Sequence, residues 1–384
     1  METRKLYYED SHRREFTARV VACEESEKGF EIILDATAFY PEGGGQACDV
    51  GTLGDAKVLD VRERGDVIIH LCDMTLEVGA EIVGTIDWAR RFDLMQQHSG
   101  EHMVSGVIHK RYGYHNVGFH MGSEVITIDF DGVIPTEDLP AIEAEVNGGI
   151  WANLPIRCWY PEPEVLPTVG YRTKKELPWP VRIVEVPGYD KCACCGTHVK
   201  NTGEVGLVKL FTSIPCRGGS RMEMACGKRA VELLTHAYDQ NRQVSQAFSA
   251  QICETGAAAR RMNETLEQEK LRYAALQKKL FGFVAESYVN FGDVLHFEED
   301  LDSVQIRILA DAIAEKCGGR AAVFSGSEDT GYAFALVTRE GDLRPFGKAM
   351  TTALNGRGGG KPVFQQGRVS AQKAQIQAFF AENP

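Results

Sequence analysis

A chain of 384 residues with 43% hydrophobic side chains is long enough for two to three domains with packed cores. Its net charge of −12 gives no support to non-specific wrapping of duplex nucleic acid, although it leaves room for a local basic groove. The charged amino terminus has no apolar signal core, no apolar run approaches the roughly 18 residues of a membrane span, and 11 cysteines, an odd number, point to reduced thiols available for metal in a cytoplasmic setting, not to a disulfide framework.

Residues 14–86 read as short β-strands. Runs at 16–23, 30–34, 58–61, 67–71 and 81–86 alternate or are rich in branched apolar residues, with turn signals between them. Strands at this spacing predict a small barrel over 1–87. Within it lies Tyr40-Pro41-Glu42-Gly43-Gly44-Gly45-Gln46, where three glycines let backbone approach a ligand and Gln46 offers donors and an acceptor. A tight turn between strands is the plainer explanation of the same residues.

Asp87 is the expected N-cap of a helix to about residue 108 that carries His98-Ser99-Gly100-Glu101-His102. Imidazoles four residues apart share one helix face, one turn apart, so both reach a single ion. A strand is predicted at 124–130, a helix capped by Thr136 to about 151, and strands at 181–186, 205–210 and 220–225. Between the last three strands stands Cys192-Ala193-Cys194-Cys195-Gly196-Thr197-His198. These elements make an α+β domain over 88–229. His98, His102, His198 and a cysteine form a donor set that zinc accepts, with Cys192 and Cys195 competing with Cys194 for the thiolate position. His98, Glu101 and His102 also fit the H-x-x-E-H pattern of inverted zinc peptidases, in which the glutamate activates water.

From 230 to 282 the composition turns to Ala, Glu, Gln, Lys and Arg. Alternate steps of four and three from Phe248 to Leu280 meet apolar residues at eight of ten positions, a heptad pattern. A coiled coil or a helical hairpin turning near Gly256 is expected, with dimerisation through 231–281. Residues 283–384 form a separate α/β unit, with helices near 301–316, 347–354 and from 370, and strands near 321–325 and 333–337. Its Gly-rich stretch, residues 355–362, reads as a flexible loop carrying Arg357 and Lys361. It is not a Walker loop, because Pro362 stands where Ser or Thr would hold magnesium. Such a loop would cradle phosphates, or would merely connect.

The His98-x-x-x-His102 helix, the Cys194-Cys195-Gly196-Thr197-His198 segment with Val199-Lys200-Asn201-Thr202-Gly203-Glu204-Val205-Gly206 after it, and the Tyr40–Gln46 stretch resemble the editing domain of alanyl-tRNA synthetase. The stretch at 356–361 resembles the C-terminal globular (DHHA1-like) domain of the same enzymes. Since the chain opens directly on the small barrel, it resembles the long form of the free-standing alanyl-tRNA editing proteins, the AlaX group. One departure is visible: the family motif is Cys-Gly-Gly-Thr-His, and Cys195 replaces its first glycine.

The resemblance implies hydrolysis of the ester joining serine, or glycine, to the tRNA for alanine. A pocket built for a methyl group cannot strongly reject serine, so a second hydrolytic site is needed. It implies one zinc per chain on His98, His102, Cys194 and His198, either activating water or anchoring the 3′ end. It implies that Gln46 and the amides of Gly43, Gly44 and Gly45 hold the ester, and that the Thr37 hydroxyl recognises serine. Glu101 would be a base unless it faces solvent, the expected orientation on this helix. Arg90, Arg91, Lys110, Arg111, Arg172, Lys174, Lys175, Arg357 and Lys361 are the candidate RNA contacts, with an ordinary solvated face as the plainer reading of each cluster. A tRNA-binding zinc protein without turnover and a zinc peptidase are the alternatives. The peptidase gives no account of residues 355–362.

Overall fold

From Glu15 onward, side chains alternate outward and inward: Phe16, Ala18 and Val20 are buried, while Glu15, Thr17 and Arg19 are exposed. That alternation is the period of a half-buried strand. The computed structural model describes residues 2–173 and 180–383. In it the strands Glu15–Ser26, Gly29–Leu34, Val67–Cys72, Ala56–Arg64, Gly51–Leu53 and Glu81–Ile86 pair in that order and close into a barrel. Closure leaves no unpaired edge. Ile32, Leu34, Leu53, Val61 and Ile68 fill the interior. Truncating one of these Ile or Leu side chains to Ala would cost about 2–5 kcal/mol.

The helix Trp88–Tyr112 follows at once. The Asp87 carboxylate accepts from the Arg90 amide at 3.1 Å, and Gly113 ends the helix in the left-handed conformation at φ 76°. Most helices bury one face. This one is buried on all sides along most of its length, including Leu94, Met95, Gln97, His98, Glu101, His102, Met103 and Val107. Around it stand a four-stranded sheet (Val208–Cys216, Gly219–Cys226, Ile126–Phe130, Asn116–Met121), a three-stranded sheet (Arg157–Trp159, Ile183–Val186, Asp190–Ala193) and the helix Leu139–Trp151. Met103, Val104 and Ile108 share one core with Ile126, Met222, Met224, Ile142 and Val146. At Gly106 a Cβ would lie 2.3 Å from the Tyr189 carbonyl oxygen, so only glycine lets the Tyr189-Asp190 backbone approach this closely. Thr136 is not a cap. It lies in a 3₁₀ turn, Thr136–Asp138, with its hydroxyl 3.4 Å from the Ser213 carbonyl, and the helix begins only at Leu139.

The chain divides into two compact units, Met1–Gln243 and Val244–Pro384. The helical region is two helices, Gly227–Ala247 and Thr255–Glu286, with a 3₁₀ turn Ile252–Glu254 before the second. The interruption falls before Gly256, which lies in the first turn of the second helix. Ser249, held at φ 50°, is at the break.

The second unit holds the sheet Gly292–Glu298, Gly318–Ser327, Gly331–Val337, Phe364–Val369, Gly356–Lys361, in that order. Val323 and Ala335 face one core with Ile306, Leu309 and Ile313. Their neighbours Phe324, Phe334 and Leu336 face another with Met350 and Ile376. The expected flexible loop at 355–362 is instead mostly an edge strand: Arg357 pairs with Arg368, Gly358 with Gly367 and Lys361 with Phe364. Backbone pairing needs no side chain, so a run of glycines conceals a strand from any reading of side-chain periodicity. No helix among the described residues is long and apolar enough to cross a membrane.

Candidate metal centre

His98 and His102 project from the buried helix, and Cys194 and His198 from the segment after the strand Asp190–Ala193. One ligand atom from each lies within 4.8 Å of all the others. The imidazole rings crowd together, with centroids 5.3 Å apart for His98 and His102, 4.6 Å for His98 and His198, and 4.7 Å for His102 and His198. The Cys194 Sγ lies 3.4 Å from His98 Nε2 and 3.5 Å from His198 Nε2. Cys192 instead groups with His102 and Asp190, and Cys195 is exposed.

Each imidazole is gripped by its other nitrogen. His98 Nδ1 meets Gln46 Oε1 at 2.8 Å, His102 Nδ1 meets Asp190 Oδ2 at 3.0 Å, and His198 Nδ1 meets Ser99 Oγ at 3.1 Å. Gln46 Oε1 also accepts from the Thr197 amide at 3.2 Å while its Nε2 donates to Thr197 Oγ1 at 2.8 Å. That fixes the amide orientation and makes His98 Nδ1 the donor. The Asp190 carboxylate does the same for His102. With Nδ1 carrying the proton, the Nε2 lone pairs of His98 and His102 are the ones left for the centre. Lone pairs gathered this closely around a thiol sulfur are mutually repulsive unless a cation or proton lies among them.

Protons can take the cation's place among these groups. Burial opposes a thiolate at Cys194, but His98, His102 and His198 outweigh it and hold the thiol well below its usual range. Burial opposes a charged His102, but Cys194 and Asp190 hold it well above the usual imidazole range. Burial pushes His198 down to about 3. Burial opposes a charged Asp190, but His102 and Arg172 hold its carboxyl low. Three nitrogens and a thiolate, each imidazole with an outer partner, fit a tetrahedral N₃S ion site.

A cavity of about 200 Å³ opens on this cluster, lined by Gly44, Glu101, Asn116, Phe119 and Arg172 among others. It is small beside the roughly 300–1,000 Å³ of a drug-sized ligand site. Glu101 does not face solvent as expected. It is 5% exposed, and its Oε1 accepts from Ser105 Oγ at 2.5 Å and Asn116 Nδ2 at 2.5 Å. Because the helix is wrapped on all sides, no exposed face is available at this position. Residues 43 and 46 close a turn through reciprocal backbone bonds of 3.0 Å, and Gly44, at φ 62°, meets the cavity. Arg182 braces the cysteine segment, donating to the carbonyls of Cys194 (2.9 Å) and Gly196 (2.8 Å).

Apart from Arg172, the other expected residues among those described do not line this cavity. Thr37 is buried in the barrel, its hydroxyl 2.8 Å from His70 Nε2 and accepting from the Phe39 amide at 3.1 Å. Arg357 and Lys361 stand on the edge strand of the second unit. Arg91 is no RNA contact: it is fully buried against Asp49 and donates to the Ala38 carbonyl at 2.5 Å. Arg172 spends its guanidinium on Asp190, at 2.7 and 2.9 Å. Arg111 pairs with Glu145 at 2.8 Å. Lys174 and Lys175 fall outside the described residues. Asp190, Asn116 and Arg182 belong to no motif in the sequence, and Ser99, inside the histidine motif, was given no role there. The nearest signal was the position of Asp190, four residues before Cys194.

Comparison with known proteins follows the same division of the chain. Residues 3–90 match the family described as tRNA synthetases class II (A), residues 181–226 the threonyl and alanyl tRNA synthetase second additional domain, and residues 283–382 the DHHA1 domain. Alanyl-tRNA editing protein Aarsd1 of Mus musculus is 28% identical over 98% of this chain and 97% of its own length. Alanyl-tRNA editing protein Aarsd1-A of Xenopus laevis is 27% identical over 96% and 95%. An alanine–tRNA ligase of Ignicoccus hospitalis is 35% identical over 72% of this chain but only 32% of the ligase. Along nearly its full length, and in each of these three matched regions, the chain is similar to proteins named for alanyl-tRNA editing.

Proposed function

We propose that this protein hydrolyses the ester of tRNA for alanine wrongly charged with serine or glycine, at a centre holding one zinc ion per chain. The observation that carries this reading is the convergence of His98, His102, Cys194 and His198 beside a cavity of about 200 Å³, in a chain whose full-length relatives are named for alanyl-tRNA editing. Bound to those four donors, a zinc ion would supply a positive charge that anchors the 3′ end of the RNA or polarises water. Four protein donors fill a tetrahedral shell, which favours the holding role.

The chain's own residues do the remaining work. Gln46 is a positioning residue: it keeps the proton of His98 on Nδ1 and ties that ring to Thr197. Gly44 brings backbone to the cavity without a side chain in the way, which suits an amide donor facing the ester oxygen as charge develops there. Phe119 gives the cavity an apolar wall that limits what enters. The peptidase alternative needs an open coordination position, and Cys194 and His198 leave none in a tetrahedral shell.

The second helix carries an exposed apolar stripe, Met262, Leu266, Tyr273, Leu276 and Leu280, each more than half exposed. That stripe supports a homodimer through 231–281. Solution scattering checks it: twice the chain mass is expected, falling to one chain in Leu266→Glu/Leu276→Glu, and a single-chain mass for the unaltered protein would reject the dimer. The function is tested with purified, zinc-loaded protein on tRNA for alanine charged with serine, glycine or alanine. Release of serine or glycine above the uncatalysed rate, with alanine spared, is expected. No release of any of the three rejects the hydrolase and leaves an RNA-binding protein.

A further inference from the structure

We infer that Glu101 and Asn116 form the subsite for the free α-ammonium group of the substrate's aminoacyl moiety, so that the enzyme acts on unblocked aminoacyl esters and spares N-acylated ones. The inference rests on the hydrolase reading above. Both residues line the cavity beside His98 and His102, and both are about nineteen-twentieths buried. The Glu101 carboxylate is aimed by two donors on one oxygen, Ser105 Oγ at 2.5 Å and Asn116 Nδ2 at 2.5 Å. Among the described residues no hydrogen bond reaches its other oxygen.

Asn116 has one possible orientation. Turned the other way, its carbonyl oxygen would face a carboxylate oxygen at 2.5 Å, which is repulsive. With Nδ2 committed to Glu101, Oδ1 is left as a buried acceptor that no group among the described residues satisfies. Such an orphan is costly, and native proteins keep one where a ligand completes it. The nearby cation on this wall, Arg172, is bidentate on Asp190.

A carboxylate oxygen and an amide oxygen are acceptors only. Their complement is a compact cation with several N–H donors, which describes a primary ammonium. An aminoacyl ester carries one such group, on the carbon next to the carbonyl that water attacks. Holding it orients that carbonyl in the cavity. An N-acyl amide has no charge, keeps a single N–H and adds bulk, so it leaves these acceptors unpaired.

The test compares seryl-tRNA with N-acetylseryl-tRNA on the zinc-loaded wild type and on Glu101→Gln, which keeps the side chain's shape. Wild type is expected to prefer the free amine by roughly 10–100-fold in kcat/KM, the worth of a charge-assisted contact. Glu101→Gln should lose that preference by slowing seryl-tRNA alone. If the variant slows both esters equally, Glu101 acts on water or on the fold, and the inference is overturned while the hydrolase stands. If the variant loses zinc or melts early, the wild type decides alone: equal rates on the two esters overturn the inference. If wild type releases serine from neither ester, the hydrolase reading itself has failed.

Discussion

His102 Nδ1 lies 3.0 Å from Asp190 Oδ2, and Arg172 donates to both oxygens of the same carboxylate. An arginine, a carboxylate and an imidazole thus stand in series behind the centre. The carboxylate fixes the tautomer of His102 and makes its Nε2 more basic. Asp190→Asn keeps the volume but removes the charge, and leaves Arg172 poorly paired. We expect zinc affinity to fall roughly 10–100-fold, read by competition with a chromogenic chelator. Unchanged affinity would show that the ring needs no such partner.

Cys194 stands between two other thiols, and the geometry distinguishes them. Cobalt substituted for zinc should show a sulfur-to-metal charge-transfer band. Cys194→Ser is expected to abolish it. Cys192→Ser and Cys195→Ser should retain it, because those sulfurs lie outside the four-donor cluster. Loss of the band in either of the latter two would reassign the thiolate.

Gly196 makes the centre sterically strict. A Cβ there would sit 2.1 Å from His98 Cε1 and 2.3 Å from its Nδ1, the atom that Gln46 holds. Gly196→Ala should displace His98 and cost about 1–3 kcal/mol as overpacking, with zinc lost. At Gly44 the added methyl group meets nothing within 4 Å, and only the left-handed backbone at φ 62° opposes it. Gly44→Ala should therefore keep its zinc. Metal content of the two purified variants settles the comparison.

His70 supplies a pH dependence inside the barrel. Burial pushes it down to about 4, with Nδ1 against the Ile32 carbonyl and Nε2 toward Thr37. In the unfolded chain it titrates near 6.5. Between pH 6.5 and 4 the unfolded chain binds a proton that the folded one refuses, so stability falls as pH falls across that window, by at most roughly 3 kcal/mol. Above pH 6.5 the group contributes nothing to the pH dependence. Urea midpoints at pH 7.5 and pH 5 should drop further for wild type than for His70→Gln. Parallel drops would place the dependence elsewhere.

The pairing of His98 with His102 was legible in the sequence because residues four apart on a helix share a face, whereas Cys194 and His198, also four apart, lie on no helix. The outer partners were not legible. Gln46 is 52 positions from His98 and Asp190 is 88 from His102, distances that only the folded chain closes. The burial of Glu101 was hidden for a different reason. A helix wrapped on all sides has no polar face from which to read orientation, and its polar residues are kept by partners such as Ser105 and Asn116. The edge strand Gly356–Lys361 escaped because alternation cannot be seen where side chains are missing. The break before Thr255 lies among ordinary residues at 248–251, and a heptad count passes straight over it.

The most direct measurement is serine release from seryl-tRNA by protein stripped with a chelator and then titrated with zinc. Release is expected to return in proportion to zinc, to level off at one ion per chain, and to stay absent in His98→Ala. Full release by the metal-free protein, or by His98→Ala, would contradict an ion-centred site built from these four side chains.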